Sequence, residues 1–127
     1  MAFEFIRSEN DSAPIEKEIE ATNGVTYEHG CLLVYGSAGT ATTTTGKPEF
    51  VYAGKDITAK TGDKLAVRVV FPNDEYMTML SASGQGLKVG QKVTTTGTKA
   101  TATTASGVFQ LLTAGGASGS KVVGRFS

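Results

Sequence analysis

Short apolar segments separated by glycine, at intervals of roughly ten residues, constrain the fold of this chain more than any other feature. The 127 residues include 16 glycines, well above the usual share of about 7%. Three of the segments, "CLLVY" (31–35), "FVYAG" (50–54) and "KLAVRVVF" (64–71), are rich in β-branched and aromatic residues. Such residues favour strands, and glycine favours the turns between them. The pattern predicts an all-β domain, either a small β-barrel or a sandwich.

The remaining strands are predicted from alternation of apolar and polar residues. Residues 15–19 fit either a helix or a strand by spacing, and the "NG" turn signal at 23–24 favours a strand. Segment 75–80 alternates as a strand does but could also be one turn of helix. Further strands are predicted at 87–96, 107–113 and 121–127. No boundary interrupts 15–127, which therefore reads as a single β domain preceded by an N-terminal arm at 1–14.

The arm, "MAFEFIRSENDSAP", begins with large apolar side chains. In an extended conformation Phe3, Phe5 and Arg7 fall on one side of the chain, and Ile6 falls on the other. The segment is either a frayed terminus or a segment that docks onto a partner. Its chemistry makes Phe3, Phe5, Ile6 and Arg7 the candidate binding residues.

Two tracts of threonine stand out, "GTATTTTGK" (39–47) and "TTTGTKATATT" (94–104). Disordered segments usually carry more net charge and more Pro, Ser and Glu. In the second tract β-branched residues flank Gly97 as two strands flank a hairpin turn. We therefore predict that 92–96 and 99–104 pair as antiparallel strands. The first tract could also be a mobile loop.

Charge and length exclude some classes of partner. The 12 basic and 12 acidic residues give a net charge of zero, so a basic footprint for nucleic acid is not expected. No apolar run approaches the length of a membrane span. The N-terminus lacks the uninterrupted apolar stretch of a signal peptide, which predicts folding in a cytoplasm. With one cysteine, Cys31, an internal disulfide is impossible.

Catalytic, metal and cofactor motifs are not found. The tract at 39–47 misses the phosphate-binding loop because Ala41 and Pro48 occupy positions that need glycine and a hydroxyl residue. His29 and Cys31 lie two residues apart, so a strand points both to one face, but two ligands do not make a zinc site. Cys31 opens an apolar run and is expected in the core. An enzyme and a bound cofactor are therefore not expected.

The sequence resembles the head decoration (capsid cementing) proteins of tailed bacteriophages. The similarity is carried by "GQGLKVGQKV…ATTASGVFQLLTAGGASGSKVVGRFS" and by the middle, from "GCLLVYGSAG" to "FPNDEYMTML", and covers roughly residues 15–127. It implies a β-barrel-like or β-tulip-like fold and attachment to the major capsid protein, often as a trimer near three-fold positions. It also implies an N-terminal arm that orders on the capsid, and such an arm can add a strand to an exposed sheet edge.

The expected function is therefore that of a structural virion protein, which is made in the host cytoplasm and stabilises the capsid from outside. Many weak contacts multiplied by copy number suit this role. The alternative is a virion or cell-surface β module that binds a glycan or a receptor. Glycan sites usually present aromatic rings, and the loops at 36–47, 83–86 and 113–120 contain none.

Overall fold

The computed structural model describes residues 2–8 and 15–127. Within these ranges the regular secondary structure is entirely strand. The strands are β1 (Glu4–Arg7), β2 (Glu16–Glu20), β3 (Thr26–Tyr27), β4 (Leu32–Tyr35), β5 (Ala41–Thr43), β6 (Phe50–Tyr52), β7 (Ile57–Thr58), β8 (Lys64–Val69), β9 (Glu75–Met79), β10 (Lys92–Val93), β11 (Phe109–Leu111) and β12 (Lys121–Phe126). The prediction of an all-β fold is confirmed.

The strands form two five-stranded sheets and one small sheet. The first sheet has the order β1-β9-β12-β11-β10, the second has the order β2-β8-β6-β4-β5, and β3 pairs with β7. Neighbouring strands in all three are antiparallel. The sheets are not closed into a barrel, so the sandwich-like alternative is the one that the structure has.

The first core lies between the two large sheets. Alternate residues of β9, β11 and β12 point inward from the first sheet because side chains alternate along a strand. They meet Leu32 and Val51, neighbours in register on β4 and β6 of the second sheet. Phe109, Leu111 and Tyr76 are fully buried there. This core fixes the first sheet face to face with the middle of the second.

The opposite face of the second sheet carries a second core. Leu33 and Phe50 are paired across β4 and β6 and point away from the first sheet. They pack in a cluster with Tyr27 from the small β3–β7 sheet and with Leu65 from β8. Because both faces of the middle strands are covered, β6 is buried at all three of its residues. This burial explains the uninterrupted apolar run "FVY".

The predicted strand at 87–96 is much shorter in the structure. Regular strand extends only over Lys92–Val93, because the chain makes a turn that ends at Gly90, where φ is +93°. The predicted pairing of 92–96 with 99–104 is present only in part: Thr94 N donates to Thr103 O and Thr101 N donates to Thr94 O, both at 3.0 Å. Residues 99–104 form no regular strand, and Lys92–Val93 pairs with β11 instead. A single antiparallel bridge joins Thr95 and Ala100.

The two threonine tracts meet where the two large sheets approach each other. Thr95 Oγ1 of the second tract donates to Thr45 O of the first at 2.8 Å. Leu32 N, on β4, donates to Gly97 O at 2.9 Å, and Thr44 N donates to Leu32 O at the same distance. The two tracts, 39–47 and 94–104, therefore form an ordered contact between the sheets, which we call the threonine seam. The tract at 39–47 also contributes β5 to the second sheet.

Candidate binding surface

Phe3, the first candidate residue, lies inside the domain. Its ring is 1% exposed and packs 5.2 Å from the centroids of both Phe109 and Phe126. The residues that follow form β1, which pairs with β9 at the edge of the first sheet. Residues 2–8 are thus part of the sandwich, whereas 9–14 of the predicted arm lie outside the described residues.

The other candidates lie on β1 but do not share one surface. Phe5 is half-buried, with its ring edge-on to Tyr76 at 5.6 Å. Ile6 is 42% exposed. Arg7 is exposed, and its Nε donates to Glu75 Oε2 at 3.1 Å. A register shift between Phe5 and Arg7 marks a β-bulge, which turns Arg7 out of the face that simple alternation assigned to it.

The outer edge of β1 is the surface that these residues leave accessible. No other strand of the described residues pairs along that edge, since β1 ends the order of the first sheet. Edge strands are commonly protected by shortness, bulges and charge, and β1 has four residues, a bulge and exposed charges at Glu4 and Arg7. We call Glu4–Arg7, with its exposed Ile6 and Arg7 side chains, the β1 edge.

His29 and Cys31 do not form a reactive pair in this arrangement. Cys31 is buried, as predicted, at 3% exposure, and burial raises the pKa of its thiol to about 11. The exposed His29 is held by the loop after β6: its Nδ1 lies 2.8 Å from Gly54 O, and its backbone N donates to Asp56 Oδ1. Among the described residues, no group of three or more His, Cys, Asp and Glu could hold a metal ion.

The threonine seam borders a concavity of about 210 Å³, which lies between the segment 26–31, Thr43 of the first tract and residues 96–98 of the second. Its hydroxyls are largely engaged within the chain. Thr26 Oγ1 lies 2.9 Å from Thr58 Oγ1, and Thr96 Oγ1 accepts a bond from Lys99 N at 3.1 Å. None of the described residues that line it is aromatic. The hydroxyls therefore shape the loops, and the expected stacking surface for a sugar is missing from this lining.

Two buried polar atoms, Tyr76 Oη and Arg68 Nε, have no hydrogen-bond partner within residues 2–8 and 15–127, although Arg68 Nε forms an ion pair with Glu16 Oε1 at 3.6 Å. Tyr76 is 0% exposed. Burial and the nearby Asp74 carboxylate raise the pKa of its hydroxyl, and Arg68 opposes them. Burial likewise raises the pKa of Asp74, although a bond from Phe71 N partly offsets this. We therefore expect removal of the Tyr76 hydroxyl to change the stability of the domain, and we assign this group no reactive role.

A basic groove, which the sequence reasoning missed, lies at one end of the first sheet. Three cations contribute to it: Lys47 from the loop between β5 and β6, Lys92 from β10 and Arg125 from β12. They are far apart in sequence, and only the order of strands brings them together. No local motif signals such a site, because it depends on non-local pairing.

No protein-family model matches the sequence, and no curated protein sequence matches it. Within the ranges that the structure describes, no helix has the length and apolar character needed to cross a membrane.

Proposed function

We propose that the protein is a structural virion protein that binds the outer surface of a tailed-bacteriophage capsid and stabilises it. Its partner is the major capsid protein, it is made in the host cytoplasm, and it acts on the capsid exterior. The observation that carries the proposal is the β1 edge: this strand ends the first sheet, and no other described strand pairs along its outer edge. It is anchored by the buried Phe3 and carries the exposed Ile6. The resemblance in sequence supplies the identity of the partner.

Binding at the β1 edge follows the chemistry of strand addition. An extended segment of the capsid protein adds to the open edge and gains backbone hydrogen bonds. Ile6, 42% exposed, then provides apolar contact beside the new strand. The burial of Phe3 favours binding at this edge over transfer of the whole segment to the capsid, since transfer would expose its ring at a cost of about 1.5–3 kcal/mol.

Repetition over the particle converts this small contact into stabilisation. A four-residue edge offers few hydrogen bonds, so one copy binds weakly, but an oligomer attached at several points gains avidity. We propose a homo-oligomer, with a trimer favoured by the resemblance. The net charge of zero is compatible with close packing of identical copies, because it limits electrostatic repulsion between them.

Co-sedimentation with capsids tests the proposal. Purified protein is mixed with capsids of the phage that encodes it, stripped of their outer proteins, and bound protein is measured after centrifugation. We expect the unmodified chain to pellet with capsids and Ile6→Asp to lose at least about tenfold in affinity. The matched control is Val89→Asp, at an exposed apolar residue (62% exposed) in the loop between β9 and β10.

Two outcomes would distinguish an error in the proposed function from an error in the proposed contact surface. Failure of the unmodified protein to bind capsids, combined with glycan binding by the isolated protein, would support the receptor-binding alternative and overturn the proposed function. Capsid binding that Ile6→Asp leaves unchanged would overturn the β1 edge as the contact but leave capsid decoration standing.

A further inference from the structure

We propose that the basic groove is a second binding site, which recognises the carboxylates of a short acidic segment of a protein partner. The inference does not depend on the proposed function, because it rests on the charges and geometry of the groove alone. The groove is a concavity of about 370 Å³, which lies within the usual size of binding sites. Its described lining consists of Lys47, Pro72, Asn73, Lys92, Gln110, Arg125, Phe126 and Ser127.

Strand register aligns two of the cations. Lys92 on β10 is opposite Gln110 on β11, and Gln110 is opposite Arg125 on β12. Residues that are directly opposite in antiparallel strands have neighbouring side chains on one face. That face is the outer one, because the adjacent residues Val93 and Phe109 are fully buried. Lys92 and Arg125 therefore lie on the same side of the sheet, two strands apart.

Arg125 is held in position by neutral acceptors. Its Nε donates to Gln110 Oε1 at 3.1 Å, and its Nη1 donates to Asn73 Oδ1 at 3.2 Å. Asn73 lies in the turn after β8 with φ 71°, a conformation that asparagine adopts more readily than most residues. Two amide oxygens fix the guanidinium without cancelling its charge. Its remaining donors retain the planar geometry that suits a carboxylate.

The positive charge of the groove is not balanced by its lining. None of the described side chains that line it is a carboxylate, and the three cations outnumber the one main-chain carboxylate in the lining, that of Ser127. The ion pairs found among the described residues join Arg7 to Glu75, Lys64 to Glu20 and Arg68 to Glu16, so they involve none of the three groove cations. In a chain of zero net charge, three cations around one concavity concentrate positive potential at that place.

The size and charge of the groove favour an acidic protein segment over other anions. Nucleic acid binding needs a basic surface that follows several phosphates along the backbone, and the charge here is confined to one groove. A single inorganic anion is small relative to a groove with cations on three separate elements. Two or more carboxylates on an extended segment can reach both the fixed Arg125 and the flexible lysines.

Fluorescence anisotropy with a labelled hexaglutamate peptide tests the inference on the full chain. We expect saturable binding at low ionic strength. We expect the affinity for the peptide to fall by about tenfold or more when the ionic strength is raised to about 0.15 M. The double variant Lys47→Gln/Lys92→Gln is expected to bind at least about tenfold more weakly. Both lysines are exposed, so the fold is retained, and thermal unfolding verifies this. The control is Lys60→Gln/Lys121→Gln, which removes two exposed lysines outside the groove.

Each further outcome decides the proposal. Equal loss of binding in the groove and control variants would mean non-specific charge attraction and would overturn it. Tighter binding of a DNA oligonucleotide of equal charge would overturn the choice of protein carboxylates. Displacement of the peptide by equimolar inorganic phosphate would also overturn it, because the groove would then hold a bare anion. Capsid binding is not measured in this experiment, so its result is independent of the proposed function.

Discussion

The ring of Phe3 lies edge-on to the ring of Phe109, with centroids 5.2 Å apart and planes at 74°. Aromatic pairs prefer this arrangement because the positive edge of one ring meets the negative face of the other. Phe126 completes the group at 5.2 Å from Phe3. A side chain from the extreme N-terminal segment is thereby built into the same core as β11 and β12.

Phe3→Ala is expected to destabilise the domain by about 3–5 kcal/mol, because it removes a fully buried ring and leaves a cavity. The matched variant Ile6→Ala, on the same strand but 42% exposed, is expected to change stability by less than about 0.5 kcal/mol. Urea unfolding measures both. Equal stability of Phe3→Ala and the unmodified chain would mean that Phe3 is not packed in the core in solution.

Gly30 holds the start of β1 against the domain. A Cβ there would lie 2.6 Å from Phe3 O, and Phe3 N donates to Gly30 O at 3.2 Å. Gly24 has the same φ of +82°, but a Cβ at Gly24 would meet no described atom within 4 Å. Gly24→Ala therefore isolates the cost of the left-handed conformation, about 1–2 kcal/mol.

Gly30→Ala carries that cost together with displacement of Phe3, and we expect a further loss of about 1–3 kcal/mol. Hydrogen exchange is expected to accelerate at the amides of β1 in this variant only. Equal destabilisation of the two alanine variants, with β1 protected in both, would refute the proposed contact between Gly30 and the N-terminal segment.

Tyr76 and Tyr27 are both buried tyrosines, and we expect opposite effects when each loses its hydroxyl. Tyr76 Oη has no hydrogen-bond partner in the described part of the chain, so Tyr76→Phe is expected to stabilise the domain by up to about 1 kcal/mol. Tyr27 Oη donates to Ala41 O at 2.7 Å and accepts from Thr22 N at 2.9 Å. Tyr27→Phe is therefore expected to cost about 1–3 kcal/mol. Thermal unfolding measures both, and a destabilised Tyr76→Phe would reveal a partner for that hydroxyl.

The strands of the core could be predicted because the necessary information is local. Alternation in "KLAVRV" places Leu65 and Val67 inward, and the structure buries both. The bulge in β1 could not be predicted from alternation, since it depends on pairing with β9. Simple alternation therefore placed Arg7 on the same side as Phe5, and the register shift turned it outward.

The basic groove depends entirely on register between distant segments. Lys92, Gln110 and Arg125 become neighbours only after β10, β11 and β12 pair, and a slip of one residue would reverse every side chain on a strand. Single-sequence patterns identify which residues alternate but not which strands are adjacent. The zero net charge of the sequence predicts no basic footprint for nucleic acid, and it does not reveal that the fold concentrates three cations at one place.

Thr95 tests whether the threonine seam stabilises the two-sheet arrangement. It is 5% exposed, its Oγ1 donates to Thr45 O at 2.8 Å, and the same atom accepts from Gly97 N. Thr95→Val keeps the shape but leaves both partners unsatisfied, so we expect a loss of about 1–3 kcal/mol. Thr104→Val, at an exposed residue of the same tract, is the control and is expected to be nearly neutral in urea unfolding. Equal stability of the two variants would contradict a stabilising seam.

The buried thiol of Cys31 is expected to make the folded protein less stable at alkaline pH. Burial raises the pKa of its thiol from 9.0 to about 11 in the folded protein. The unfolded chain therefore ionises this thiol at lower pH than the folded one, so stability from this group is complete below pH 9 and is lost as pH rises toward 11. Cys31→Ala removes the titration and leaves a constant packing loss.

The difference in unfolding free energy between the unmodified chain and Cys31→Ala isolates this effect from the other titrating groups. We expect the advantage of the unmodified chain to shrink between pH 9 and 11, and its thiol to react with a disulfide reagent far more slowly than that of the unfolded chain, because thiolate is the reactive form. If the difference in unfolding free energy did not change with pH, and the thiol of the folded protein reacted rapidly with the disulfide reagent, Cys31 would be accessible and not part of the second core.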